Sequence, residues 1–174
     1  FRFGSELNLN WLMTLAKNKQ LTFKKMDIAN FEELESVFLK YSKFDYVCHV
    51  AGQVAMTTSL ENPKRDLMTN VIGTFNILEC CRKYSPESVI TYSSTNKVYG
   101  DLDWMNIKEE ELRYCLVDYP KGLNEEIPLD FSTPYGCSKG SADQYVKDWA
   151  RVYGLKTFVF RHSSIYGGRQ FATF

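Results

Sequence analysis

A chain of 174 residues that is 44% hydrophobic carries enough apolar surface for one globular core. Lysine plus arginine number 21 and aspartate plus glutamate 21, so the formal net charge is zero, which excludes a polyanion-binding surface as the main role and makes nucleic acid an unexpected partner. No apolar run approaches the roughly 20 residues of a membrane span, the first residues are no signal peptide, and the odd set Cys48, Cys80, Cys81, Cys115 and Cys137 forms no CxxC pair, which reads as free thiols of a reducing cytoplasm with no metal site.

Asn8 to Lys17 carries Leu9, Leu12, Met13 and Ala16 at helical spacing. Leu21 to Ile28 reads as extended, ending at Asp27. Phe31 to Tyr41 is amphipathic, with Phe31, Leu34, Val37, Phe38 and Tyr41 on one face. Asn30 is its N-cap, and Glu33 completes a capping-box spacing. Asp45 to Val50 is a short buried strand followed by Ala51-Gly52, and His49 at its end reads as a core histidine. Pro63 suits a first helical turn and opens a long helix through Tyr84, with Lys64 and Arg65 in solvent. Val89 to Ser93 is the next strand. An acidic insertion from Asp101 to Thr133, with Trp104, Pro120 and Gly122, is long enough to be read as functional. Pro134 to Tyr153 is a helix stopped by Gly154, and Leu155 to Arg161 is a last strand. Trp11, Trp104, Trp149 and Cys137 are expected to pack. This alternation of helices and hydrophobic strands predicts an α/β fold, a doubly wound parallel sheet covered on both faces.

Tyr135-Gly-Cys-Ser-Lys139 places a tyrosine and a lysine four residues apart at the head of a helix, on one face. A free phenol has a pKa of about 10. An ammonium beside it favours the phenolate, so the pair predicts a tyrosine able to take a proton from a hydroxyl and return it. In Ser88-Val-Ile-Thr-Tyr-Ser-Ser-Thr95 a strand ends in a burst of hydroxyls. Ligands of open α/β sheets bind beyond the carboxyl ends of the strands. A hydroxyl there can hydrogen-bond the reacting oxygen and share its proton with Tyr135. The bland alternative is that Ser93, Ser94 and Thr95 cap a turn. Arg161 and Arg169 are either grips for a pyrophosphate or members of salt bridges. Asn96 and His162 either touch the ligand or make structural hydrogen bonds.

His49-Val-Ala-Gly52, Asn70-Val-Ile-Gly-Thr74, the hydroxyl block running to Gly100, Pro134-Tyr-Gly-Cys-Ser-Lys139 and Phe160-Arg-His-Ser-Ser-Ile-Tyr-Gly167 cover nearly the whole chain. Their order resembles the extended short-chain dehydrogenase/reductase family, the NAD-dependent nucleotide-sugar epimerases and dehydratases. The resemblance implies a Rossmann-like fold, NAD as cofactor and a nucleotide-sugar substrate. It implies Thr95, Tyr135 and Lys139 as the catalytic trio. It places Asp27 and Ile28 by the adenine, and Ala51, Gly52 and Gln53 along the pyrophosphate and ribose. Asn70, Ser93 and His162 fall around the nicotinamide end, where Tyr135 and Lys139 also meet the cofactor. Thr95, Asn96, Ser164 and Arg169 are the implied substrate contacts. The long helices 63–84 and 134–153 match those that pair in family dimers, so a homo-oligomer is expected.

Family dehydratases carry an Asp-Glu pair directly after the catalytic threonine, whereas this chain has Asn96-Lys97. That departure argues for epimerisation over dehydration. The blocks at 51–59, 93–101 and 161–173 narrow the resemblance to epimerases of CDP-sugars. Two alternatives stay open: another family enzyme, such as a 4-epimerase or sugar dehydrogenase, and a non-catalytic nucleotide-binding scaffold on the same fold. The chain contains no Gly-rich phosphate loop of the kind that holds a pyrophosphate at a helix N-terminus. Residues 1–174 are accordingly expected to be a partial NAD-binding Rossmann domain, lacking the first βαβ unit and the C-terminal substrate domain, with weak cofactor affinity in this form.

Overall fold

The computed structural model describes residues 6–16, 21–41 and 43–168. Three strands make the sheet, β1 (Tyr46–His49), β2 (Val89–Ser93) and β5 (Lys156–Phe160), all parallel in the order β1-β2-β5. Tyr46 pairs with Val89, and Val89 with Lys156. The central strand turns Ile90 and Tyr92 to one face, where both are buried. There they meet Leu34 and Phe38 of α2 (Phe31–Tyr41), Leu78, Cys80 and Cys81 of α5 (Gly73–Tyr84), and Ala142, Val146 and Trp149 of α6 (Thr133–Tyr153). Burial of this kind contributes about 1.5–3 kcal/mol for each large aliphatic or aromatic side chain. On the opposite face Tyr46, Cys48, Phe158 and Phe160 are exposed, so among the described residues helices cover one face and not the expected two.

The local signals for α2 hold. Asn30 Oδ1 accepts from the Glu33 amide at 3.2 Å, and Glu33 returns contacts to the Asn30 side-chain amide and, at 3.4 Å, to the Asp27 N–H. Helix α6 opens with Pro134 in its first turn and closes at Gly154, whose φ of 71° is left-handed. Other expectations are corrected. Residues 21–27, read as extended, belong to neither sheet among the described residues. Helix α1 (Glu6–Leu15) buries none of its residues, and Trp11 is exposed. A short helix, α3 (Met56–Glu61), precedes the long one. The long helix is not uniform: α4 (Pro63–Asp66) passes into a π turn (Leu67–Ile72) before α5 begins. The insertion contains a hairpin of β3 (Ile107–Glu109) and β4 (Tyr114–Leu116), with Trp104 exposed against Tyr119. Of the tryptophans only Trp149 is in the core, its indole N–H donating to Glu79 at 3.2 Å. Cys80 and Cys81 are buried thiols, pushed up to about 11 and about 12 chiefly by burial. Cys137 is exposed, its thiol donating to the Phe131 carbonyl at 3.7 Å.

Candidate active site

Helix α6 carries Tyr135, Lys139 and Asp143 at successive four-residue steps, one stripe along its inner face. Lys139 is 5% exposed, and its ammonium donates to the Ser93 carbonyl at the end of β2 while lying 4.3 Å over the Tyr92 ring. Burial lowers its pKa to about 8, opposed by the negative charge of Asp143. Asp143 is wholly buried and accepts from Ser94 Oγ at 2.8 Å and from Arg161 Nε and Nη2, each at 2.9 Å. Arg161 also donates to the Tyr99 hydroxyl at 2.8 Å. Of its two readings the structure selects the salt bridge: the guanidinium is spent on Asp143, whose hydrogen bonds hold it above its ordinary range.

Thr95 begins the 3-10 turn Asn96–Tyr99, its hydroxyl accepting from the Lys97 amide at 3.3 Å. The Tyr135 phenol is held above its ordinary value chiefly by burial; the nearby Thr95 hydroxyl lowers it and the Asp66 carboxylate raises it. The expectation that Lys139 depresses the phenol is therefore corrected for this state. The ammonium is bound to Ser93, and desolvation dominates Tyr135.

Two side-chain amides of the long helix fix the loops around the trio. Asn70 Oδ1 accepts from the Gln53 N–H at 2.8 Å, and its Nδ2 donates to the Gln53 carbonyl at 3.2 Å and to Ser138 Oγ at 2.9 Å. The Ala51-Gly52-Gln53 loop is thereby clamped beyond β1. A Cβ at Gly52 would lie 3.0 Å from Asn70 Oδ1 and 3.8 Å from Lys139 Nζ, so only glycine leaves this approach open. Asn76 Nδ2 donates to the Ile28 and Ala29 carbonyls at 3.0 and 3.2 Å. Asp27, Ile28, Ala51, Arg65 and Met68 line a cavity of about 870 Å³. His49 is buried in the core but only half satisfied: its Nε2 is 2.8 Å from Thr74 Oγ1, its Nδ1 has no hydrogen-bond partner, and burial, with Lys139 nearby, drops its pKa to about 3.

His162 stacks on Phe160 with ring centroids 5.7 Å apart, and its carbonyl accepts from the Asn96 N–H at 2.7 Å. With Tyr99, Leu123, Asn124 and Arg161 it lines a second cavity of about 520 Å³. Asn96 and Ser164 are exposed, and Arg169 lies outside the described residues. Sequence reasoning missed Asp66, Asn76, Ser138 and Asp143. Only Asp143 left a signal, one further step of four along the Tyr135–Lys139 stripe.

A Rossmann-like parallel sheet with a threonine, a tyrosine and a lysine gathered beyond its central strand defines the class, and the comparisons agree. The family model described as GDP-mannose 4,6 dehydratase matches residues 1–174, and the chain belongs to that family. It is 53% identical to CDP-paratose 2-epimerase of Salmonella typhi over 99% of this chain and 50% of that protein. Among solved structures it is similar to the UDP-glucose 4-epimerase of Thermotoga maritima with UDP-glucose, with a TM-score of 0.69 and 29% identity over 96% of this chain and 54% of that one. It is also similar to the UDP-glucose 4-epimerase of Thermus thermophilus in complex with NAD, with a TM-score of 0.68 and 25% identity over 98% of this chain and 54% of that one. The chain spans about half the length of the curated relatives it matches. No helix among the described residues is long and apolar enough to cross a membrane.

Proposed function

We propose that this chain is the greater part of the NAD-binding domain of a nucleotide-sugar epimerase, one that converts CDP-paratose to CDP-tyvelose by inverting carbon 2 of the sugar. The observation that carries the reading is buried Lys139 donating to the Ser93 carbonyl, two residues before Thr95 and one turn along the helix from Tyr135, in a family member 53% identical to a CDP-paratose 2-epimerase.

The residues present fit NAD. A bare glycine edge at Gly52 faces Lys139, and the cavity at Asp27 and Ile28 is open and roomy. Asp27, Ile28, Ala51, Gly52, Gln53, Asn70, Ser93 and His162 would hold it, with Tyr135 and Lys139 at its reactive end. When bound, NAD supplies the acceptor for a hydride from the sugar carbon and the donor that returns it. Tyr135 Oη takes the proton of the sugar hydroxyl and later gives it back. Thr95 Oγ1 donates a hydrogen bond to that oxygen as it becomes a carbonyl. Lys139, its ammonium held at the Ser93 carbonyl one turn from Tyr135, is assigned to orienting the nicotinamide ribose. Asn96, Ser164 and Arg169 are assigned to the substrate. Asn96-Lys97, in the place of an acid pair, leaves no carboxylate for removing water.

The same reading includes a homo-oligomer paired through helices 63–84 and 134–153. It is supported by the part-exposed aromatic row of Phe75, Tyr145 and Tyr153 around Trp149. A cytoplasmic location is supported by five free thiols. The test is incubation of the full-length protein with CDP-paratose and NAD, followed by NMR of the sugar. Inversion at carbon 2 is expected. Inversion at another carbon returns the substrate to the wider family, and a net oxidised product sinks the epimerase reading.

A further inference from the structure

Asp143 is wholly buried one turn beyond Lys139, and its oxygens gather donors from three other parts of the chain as well as its own helix. Ser94 Oγ donates to Oδ2 at 2.8 Å, Arg161 donates to both oxygens at 2.9 Å, and Gln144 Nε2 donates to Oδ1 at 2.8 Å. Arg161 also donates to the Tyr99 hydroxyl and lies 5.1 Å over the Tyr99 ring. These partners bracket Thr95: Ser94 precedes it, and Tyr99 ends the 3-10 turn that Thr95 caps. The turn rests on the head of α6, where a Cβ at Gly136 would lie 3.3 Å from the Lys97 carbonyl. Backbone bonds fasten the same segment to β5 and the residues after it, from the Ser94 N–H to the Phe160 carbonyl at 2.8 Å and from the Asn96 N–H to the His162 carbonyl at 2.7 Å. The side-chain network carries that fastening across to the helix of Tyr135 and Lys139. Stability does not call for it, since packed apolar residues of similar volume in place of a buried ion pair are often neutral or better. What charged, forked hydrogen bonds supply is direction, and a fully satisfied buried network holds its members in one arrangement.

We propose that Asp143, Arg161, Ser94 and Tyr99 form a positioning clamp that sets Thr95 against Tyr135, so that both hydroxyls meet the same substrate oxygen. The inference rests on the reading of Thr95 and Tyr135 as the groups that hold that oxygen and move its proton. None of the four clamp residues is assigned a contact with the cofactor or the sugar; each acts through the backbone of the turn or of α6. The two hydroxyls come from different elements, the turn after β2 and the head of α6, so their separation is set by whatever joins those elements. A displacement of about 1 Å at such a centre can lower turnover about a hundredfold, because the reaction demands near-attack geometry. One stripe of α6 thus carries both the reacting side chains and the carboxylate that aligns Thr95 with them.

The test uses the full-length protein and the double variant Ser94→Ala/Tyr99→Phe, which removes two hydroxyls and leaves the Asp143–Arg161 pair, and so the charge opposite Lys139, in place. With the nucleotide sugar and NAD, kcat is expected to fall about 10–100-fold while KM stays within about twofold. An unchanged kcat in the folded variant overturns the proposal, and so does a loss confined to KM, which marks a lost ligand contact. Asp143→Leu/Arg161→Met separates alignment from stability. Its melting temperature is expected to stay near that of the wild type, and its kcat, taken on the plateau of its pH profile, to fall as far. A kcat near the wild-type value there overturns the proposal. A crystal structure of each variant is superposed on α6 of the wild type: Thr95 is expected to be displaced from Tyr135, and an unmoved Thr95 overturns the proposal. If the wild-type protein turns over no nucleotide sugar, the functional reading fails, and the place of Thr95 in the variants still decides whether the clamp holds it. Should Ser94→Ala/Tyr99→Phe not fold, Asp143→Leu/Arg161→Met carries both readouts.

Discussion

The buried pair Asp143–Arg161 lends itself to a quantitative test. The two side chains are 0% and 10% exposed and share two hydrogen bonds of 2.9 Å. Asp143→Asn keeps the shape and an acceptor for Ser94, but leaves a guanidinium in the interior without its counter-charge. Removing one member of a buried pair costs about 3–5 kcal/mol. For a domain of this size each kcal/mol lowers the melting temperature by roughly 2–4 °C, so a fall of about 6–20 °C is expected. Urea denaturation should show the loss in the midpoint, with an unchanged slope. The double variant Asp143→Leu/Arg161→Met should recover most of it, because a packed apolar pair of similar volume is often neutral. A second consequence concerns Lys139, which Asp143 keeps protonated against burial. Lys139 holds its charge below about 8 and loses it above. Without Asp143 the ammonium is lost earlier, and the alkaline limb of the activity profile moves to lower pH. A loss below about 1 kcal/mol, the range of an exposed ion pair, would refute the reasoning.

Other perturbations test the packing and the loop clamps. A Cβ at Gly140 would lie 2.4–2.6 Å from three carbons of the Phe131 ring. Gly140→Ala is therefore expected to destabilise, as the crowding of about 1–3 kcal/mol outweighs the helix gain of about 1 kcal/mol. Adding Phe131→Leu should recover part of the loss in urea midpoints, and a stabilised single variant would show the ring to be free to move. Asn76→Leu frees the Ile28 and Ala29 carbonyls from hydrogen bonds that contribute about 0.5–1.5 kcal/mol each. NAD affinity of the full-length protein, measured by calorimetry, should fall under the proposed function. An unchanged affinity would show that Asn76 does not hold the cofactor loop.

The parts of the fold legible in the sequence are those whose cause is local. Helix α2 follows from Asn30, Glu33 and an apolar stripe, and the structure returns its bounds, Phe31–Tyr41. Strand β2 follows from a run of buried and β-branched residues, and α6 from Pro134 and Gly154. The missed features depend on partners distant in the chain or absent from the pattern. The hairpin strands β3 and β4 have no apolar alternation, and β3 is exposed throughout. The π turn in the long helix has no signature in Leu67–Ile72; its Asn70 carbonyl accepts the Thr74 hydroxyl at 2.5 Å, a contact that spacing alone does not announce.

The candidate site divides along the same line. Spacing brought Tyr135 and Lys139 to one face, and the position of Thr95 after a strand brought it to the same place, because helix period and sheet polarity are properties of the backbone. Charge is not such a property. Arg161 was open between a ligand grip and a salt bridge until Asp143, eighteen residues earlier, was seen to fill both prongs of its fork. Tyr135 shows the limit most clearly. A lysine four residues on argues for a lowered phenol, yet burial and a carboxylate sixty-nine residues upstream push it the other way, and the ammonium is turned to Ser93. Proximity along a helix names the members of a proton-transfer site, whereas the direction in which their protons are held depends on desolvation and on every charge that the fold brings to them.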